Sequence, residues 1–383
     1  MEKRQFLQIP GPTNVPDRIL RSLSKPLINH RGEEFEQLLS YCVDSLKKVF
    51  RTENDILIFP AAGSGMLESA VVNLFRKDDT ILTCSIGVFS ERMGIIAKSF
   101  GVNIIQIEKT WGETVTPEDI RKYLEDDKEK EIKAVCVPQN ETCSAVEVDI
   151  EGISKVLKEL GHPALLVVDA ISSAACAPLE TDKWEVDVVV ASSQKGFMLP
   201  PGLGFAAVSK KAWKSYESSD LPKWYWDYDM VKQKMLTNQL PYTPATTLLF
   251  GLKEALDILH EEGIENVWQR HEAMAAAVRS AANEMGLKLL ADEKAASNSV
   301  TAIMFPENIE YKQLSSLLKK KYNVTIGGGL GRLQGKIFMI GHLGAVYEMD
   351  IYAVMGALEM ALIELGYNVE AGSAAKALTK AFL

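Results

Sequence analysis

The sequence predicts an α/β fold: a large domain built on a mainly parallel sheet flanked by helices, followed by a smaller C-terminal α+β domain. Three observations predict it. Through the first half of the chain, short Val- and Ile-rich runs alternate with amphipathic stretches, the order that places helices on both faces of a parallel sheet. The runs mostly lack polar alternation, as strands covered on both faces do. Past about residue 245 the strict alternation stops, which suits a separate α+β unit. With 383 residues the chain is long enough for two or three units sharing a core.

The elements follow in order. Residues 1–17, with Pro10, Pro12 and Pro16, read as an N-terminal extended arm, because proline lacks an N–H and disfavours helix at the residue before it. Strands are expected at 56–59, 80–83, 103–107, 134–137, 164–168 and 186–191, with helices at 66–75, 90–100, 117–125 and 150–160 between them. Long helices follow at 248–261 and 267–285, then a strand at 299–304, a helix at 311–321, a strand at 335–340 and a helix at 349–365. The tail 371–383 reads as a short final helix. The seam falls in the first long helix, which makes 18–250 the large domain and 251–383 the small one.

Composition narrows the function classes. The chain is 47% hydrophobic and 24% charged, an ordinary globular balance that excludes a disordered chain. Lys plus Arg number 42 against 51 Asp plus Glu, a formal charge of −9, with no basic tract of the kind general nucleic-acid binding needs. No apolar stretch approaches the ~20 residues of a membrane span, and the charged start has no apolar segment behind it, so no secretory signal and no membrane partner are expected. Five cysteines without a C-x-x-C pair read as reduced thiols, and a cytoplasmic location is the expectation. The five histidines are scattered, and no metal site is expected.

In open parallel sheets ligands sit beyond the carboxyl ends of the strands. Four such positions stand out. After strand 56–59 comes Ala61-Ala62-Gly63-Ser64-Gly65-Met66, a glycine-rich turn opening a helix and so suited to a phosphate. Glu68 stands where a dinucleotide fingerprint has its third glycine, so the turn is equally open to being a plain strand-to-helix connection. Asp169 ends strand 164–168; it can pair with a ring nitrogen or hold a metal, or it can cap a helix. Lys195, in Ser192-Ser193-Gln194-Lys195-Gly196, directly follows strand 186–191. Burial there disfavours its charge and frees the amine for a Schiff base, although a solvated loop lysine is the plainer alternative. Phe89, beyond strand 80–83, can stack on a flat ring or simply fill core. Together, a phosphate turn, an acid at one strand end and a lysine at a later one match the needs of pyridoxal phosphate. Its aldehyde needs Lys195, its pyridine nitrogen needs Asp169, and its phosphate needs Ser64 and Gly65.

On these residues the sequence resembles the class V aminotransferases among the fold-type-I pyridoxal-phosphate enzymes, and within them the alanine–glyoxylate and serine–pyruvate group. The resemblance covers nearly the whole chain. It runs through Pro10-Gly11-Pro12-Thr13-Asn14-Val15-Pro16, Asn29-His30-Arg31-Gly32-Glu33-Glu34-Phe35, Gly63-Ser64-Gly65, Asn140-Glu141-Thr142, Val168-Asp169-Ala170-Ile171-Ser172-Ser173 and Ser193-Gln194-Lys195. It continues through Thr243-Pro244-Ala245-Thr246-Thr247 and Gly335-Lys336-Ile337-Phe338-Met339-Ile340-Gly341-His342-Leu343-Gly344.

The resemblance implies roles. Lys195 is the Schiff-base lysine and the acid/base of the proton shift, and Asp169 holds the pyridine nitrogen. Ile171 and Phe89 pack on the two ring faces. Ser64, Gly65, Met66 and Gln194 hold the phosphate, with Met66 where relatives often have His, and Thr142 sits by the phenolic oxygen. Thr243 reaches the phosphate of a neighbouring subunit, which implies a homodimer with shared sites. Gly11, Arg332 and Met339 are the substrate-binding candidates. Met339 departs from the pattern, which commonly has an Arg there that grips the substrate's α-carboxylate. Arg332 or Lys336 can replace it, Arg332 by way of the glycine-rich Gly327-Gly328-Gly329-Leu330-Gly331, or the substrate differs.

The implied activity is ping-pong transfer of the amino group of alanine or serine to glyoxylate or pyruvate. The alternative is a pyridoxal-phosphate lyase or an aminotransferase for an atypical amine. A desulfurase needs a late mobile cysteine, and all five precede residue 177. A nucleotide-dependent oxidoreductase or a cofactor-free binding protein leaves Lys195 and Asp169 unexplained.

Overall fold

The structure, a computed structural model, describes residues 5–383. Its thirteen strands are β1 (Phe6–Gln8), β2 (Asp55–Phe59), β3 (Thr80–Ser85), β4 (Asn103–Glu108), β5 (Ile132–Pro138), β6 (Asn140–Glu141), β7 (Val146–Glu147), β8 (Leu165–Asp169), β9 (Val188–Ser192), β10 (Gly204–Val208), β11 (Val300–Met304), β12 (Val324–Gly328) and β13 (Ile337–Gly341). Seven form one sheet in the order β2-β10-β9-β8-β5-β3-β4. Only β10 runs against the others, antiparallel to both β2 and β9. The rest share one direction, so β5, β8 and β9 end side by side, with Pro138 opposite Asp169 and Asp169 opposite Val190. This is the mixed, parallel-rich α/β sheet the apolar runs predict, and the reason for the runs is direct: Val188, Val189, Val190 and Ala191 are fully buried under helices on both faces.

The second sheet has the order β1-β12-β13-β11. The extended arm is part of it: β1 pairs in parallel with β12, through Phe6 opposite Val324 and Gln8 opposite Ile326. One apolar cluster spans Ile19 to Trp268 around the large sheet, and a second spans Met274 to Leu378 around the small one. The change of core therefore lies inside the helix Ile264–Glu284, while the preceding helix Thr246–Glu262 packs Leu249, Leu252, Leu256 and Leu259 into the first cluster. A third cluster joins the two units, with Trp111, Cys143 and Ala145 on one side and Val300, Ala302, Leu333, Ile337 and Met339 on the other.

Several elements have weaker sequence signals. The strand β10, Gly204-Phe205-Ala206-Ala207-Val208, is built largely of small residues behind Pro200-Pro201. The strand β12 ends on Gly327-Gly328. The long helix Glu33–Phe50 buries Phe35, Leu38, Leu39, Cys42, Leu46, Val49 and Phe50 along one stripe and exposes charge on the other.

Candidate active site

The carboxyl ends of β2, β8 and β9 converge on a cavity of about 170 Å³. Ser64, Phe89, Thr142, Asp169, Ile171, Gln194 and Lys195, all singled out from the sequence, line it. Gly65 and Met66 stand just behind. Gly65 touches Trp226 so closely that a Cβ would lie 2.7 Å from its ring, and Met66 is fully buried against Gly204.

Asp169 ends β8 and bends the chain after it: its Oδ1 accepts the Ile171 N–H at 2.8 Å. No helix follows, so the carboxylate caps none. Burial pushes its pKa up to about 6, against the opposing pull of that N–H and of Arg92 and Lys195. Lys195 leaves β9 three residues beyond Ser192. Burial lowers its pKa to about 8, with Asp169 opposing the shift. Its Nζ donates to the Pro10 carbonyl oxygen. The arm is fastened at the same place: Thr13 N–H donates to the Gln194 carbonyl at 3.1 Å, and Thr13 Oγ1 donates to the Lys195 carbonyl at 3.1 Å. Gly11, at φ 109°, fills the gap between them; a Cβ there would lie 2.5 Å from Lys195 Nζ.

The walls are set by close approach. Gly63 opens the helix Gly63–Leu74 against Ile171, whose Cδ1 would be 2.6 Å from any Cβ. No side chain caps this helix end, which faces the cavity through Gly63 and Ser64. Opposite, Glu141 is fully buried; its Oε2 accepts the Ser90 N–H at 2.6 Å and its Oε1 the Cys143 N–H at 2.8 Å. It thereby ties the helix Val88–Ser99, which carries Phe89, to the turn carrying Thr142, and burial pushes its pKa up to about 7.

Three wall residues had no role assigned from the sequence. Arg92 lies 4.8 Å over the Phe89 ring and donates from Nη1 to Ser64 Oγ at 2.9 Å. On a helix, a residue three after Phe89 shares its face, and that spacing is the signal that could have found it. Asn140 and Ser172 bond each other, Asn140 Nδ2 donating to Ser172 Oγ at 2.8 Å.

Besides Gly11, Gly65 and Met66, three more candidates are absent from the lining. Thr243 is exposed. Arg332 donates to Glu91 Oε1 at 2.8 Å, stacks 5.0 Å from the Trp111 ring and is 60% exposed at its side chain. Met339 is buried in the apolar cluster between the two units.

A phosphorylated pyridine aldehyde fits this lining. Asn140 Oδ1 and Gln194 Oε1 are buried in the cavity wall without a protein partner. The uncapped helix end and Arg92 offer positive charge at one end, Asp169 offers an acceptor at the floor, and Phe89 and Ile171 provide apolar faces.

A family model for the class V aminotransferases matches residues 6–339. The chain belongs to the class V aminotransferase family. This aminotransferase is 40% identical over 377 residues to the serine–glyoxylate aminotransferase of Methylorubrum extorquens, covering 97% of this chain and 94% of that one. It is 38% identical over 368 residues to a Synechococcus protein named as the small subunit of a soluble hydrogenase, covering 96% and 95%. The crystal structure of pyridoxamine–pyruvate aminotransferase from Mesorhizobium loti superposes with a TM-score of 0.92 at 28% identity, covering 100% of this chain and 97% of that one. The cofactor of this aminotransferase is pyridoxal 5′-phosphate.

Proposed function

We propose that this enzyme moves the amino group of a small amino acid, serine or alanine, to glyoxylate or pyruvate. One observation carries the site assignment: Lys195 and Asp169, brought together from neighbouring strand ends, share one cavity with amine and acid shifted toward each other. The serine–glyoxylate relative supports the substrate class. Pyridoxal phosphate supplies an electron sink for the charge left when an α-proton departs. The chain supplies the rest. Lys195 Nζ, neutral above about pH 8, takes and returns the proton. Asp169 holds the ring nitrogen, Ser64, Gly65 and Gln194 hold the phosphate with Met66 packed behind, and Thr142 stands by the phenolic oxygen. Phe89 and Ile171 exclude water from the two faces.

We propose further that two copies share their sites. Trp224 and Leu236, 71% exposed each, precede Thr243 on the segment that also carries Trp226 against Gly65, and such exposed apolar side chains favour a second copy. The five buried, free cysteines support a cytoplasmic setting.

A second reading rests on Met339. Its thioether offers no charge to an α-carboxylate, which favours an amine substrate or a lyase reaction, and a pyridoxamine–pyruvate enzyme is among the structural relatives. The test is an absorbance spectrum of the purified enzyme. A near-visible band lost on adding L-serine or L-alanine and restored by glyoxylate or pyruvate supports the first reading; a band indifferent to both amino acids supports the second.

A further inference from the structure

A second cavity lies on the opposite edge of the large sheet. It is a groove of about 590 Å³ lined by Arg76, Lys130, Lys133, Lys211 and Lys214, with Asp79 the one acid. Ile132 and Leu165, the first residues of β5 and β8, form part of its floor. The active site lies at the other end of the same strands, about 20 Å away along the six steps from Ile132 to Pro138.

In a chain of net charge −9 such a cluster is not a by-product of composition. Some cations elsewhere are matched by acids, as Arg18 is by Glu254 and Glu261, Arg121 by Glu159 and Lys376 by Glu284. In the groove they are aimed by neutral groups. Arg76 Nε donates to the Ser218 carbonyl, Lys130 Nζ to the Gly161 carbonyl at 2.8 Å and Lys211 Nζ to the Ala164 carbonyl at 2.7 Å. Only Lys211 also meets a carboxylate, Asp187 at 3.0 Å. Lys133 and Lys214 are exposed and have no acid within ion-pair distance among the described residues. Asp79 is turned inward, accepting the Arg76 N–H at 2.8 Å.

Carbonyl oxygens hold a side chain in place without neutralising it, so Arg76 and Lys130 stay fixed and charged, and the exposed Lys133 and Lys214 add solvated charge beside them. Cations spread along a cleft, one of them a guanidinium, suit an anion with charges repeated along its length, and the volume falls in the range of small-molecule sites, roughly 300–1,000 Å³. We infer that this groove is a binding site for a linear polyphosphate, free or carried by a nucleotide.

Calorimetric titration of the cofactor-loaded enzyme with inorganic triphosphate, and separately with ATP without added divalent cation, tests it. One saturable site per chain is expected for both, weakened about tenfold or more by the double substitution Lys133→Glu and Lys214→Glu, and weakened by raising salt from about 50 to 200 mM. Transamination by that variant stays within about twofold of the parent, which separates the groove from the cofactor site. Equal affinities identify the phosphate chain as the ligand, and tighter ATP binding identifies the nucleotide. No saturable binding at millimolar triphosphate, or an unchanged affinity in the double variant, overturns the inference.

Discussion

The two edges of the large sheet treat charge in opposite ways. At the carboxyl edge, Lys195, Asp169 and Glu141 are desolvated, and each is pushed toward its neutral form. At the amino edge, Lys133 and Lys214 stand in solvent, and their neighbours are aimed by backbone carbonyls. One edge stores desolvated groups whose pKa values are moved toward neutral pH; the other displays charge to solvent. Lysine at a strand end is therefore not a chemical signal by itself. What it faces decides its use.

The largest test of that contrast sets one lysine against another. Lys195→Ala is expected to lower kcat by about 10⁴-fold or more and to abolish the near-visible band, whereas Lys214→Ala leaves both within about twofold. Activity surviving Lys195→Ala breaks the contrast. The same lysine carries a pH signature. Its amine is held near 8, below its ordinary value, so the neutral form grows as pH rises; the rate at which the apoenzyme captures pyridoxal phosphate should climb with pH and level off above about 8. A flat profile between pH 6 and 9 contradicts the assignment.

Arg92→Gln should be next in size. Its guanidinium meets Ser64 at the uncapped helix end, so affinity for pyridoxal phosphate should fall about tenfold, while affinity for pyridoxal, which lacks the phosphate, changes little. Equal losses for both ligands would place Arg92 behind the ring instead of at the phosphate.

The carboxyl edge should also cost stability as pH rises. Glu147, in the hairpin strand β7, is partly buried, and desolvation pushes its pKa up to about 7 although Asn298 N–H donates to it at 2.9 Å. The unfolded value is ordinary and lower. The folded state holds the proton more tightly, so the stability tied to it is full below about pH 4 and is lost as pH rises through 7. Glu147→Gln should flatten the fall of the unfolding free energy across that window by on the order of 3 kcal/mol, read by denaturant unfolding at several pH values. The smallest effect is expected at Arg332→Ala. Its pair with Glu91 is mostly exposed and should be worth under about 1 kcal/mol in thermal unfolding.

Much of this was legible in the sequence, for identifiable reasons. Strands β2, β3, β4, β5, β8 and β9 announce themselves because burial on both faces demands unbroken apolar runs. Asp169 and Lys195 stand out because a charged residue directly after such a run is costly unless used. The strand β10 does not stand out, because Gly204 and two alanines leave little branched surface to mark a strand. Arg92 is hidden by its helix, where an arginine reads as a solvated face until Phe89, one turn back, is known to face the cavity. Glu141 looks like any acid in a turn; only the folded chain brings the Ser90 and Cys143 amides to it. The grooved amino edge leaves no local pattern at all, since Arg76, Lys130 and Lys214 are brought together from three separate parts of the chain.

The arm has a mechanical side. Its strand β1 is woven into the small sheet, yet within a few residues Pro10 receives the Lys195 ammonium and Thr13 grips the Gln194 and Lys195 carbonyls. It is a short tether with one end sewn to each unit, and the reactive amine hangs on it. Any swing of the small unit pulls on the amine directly, without passing through the rest of the protein.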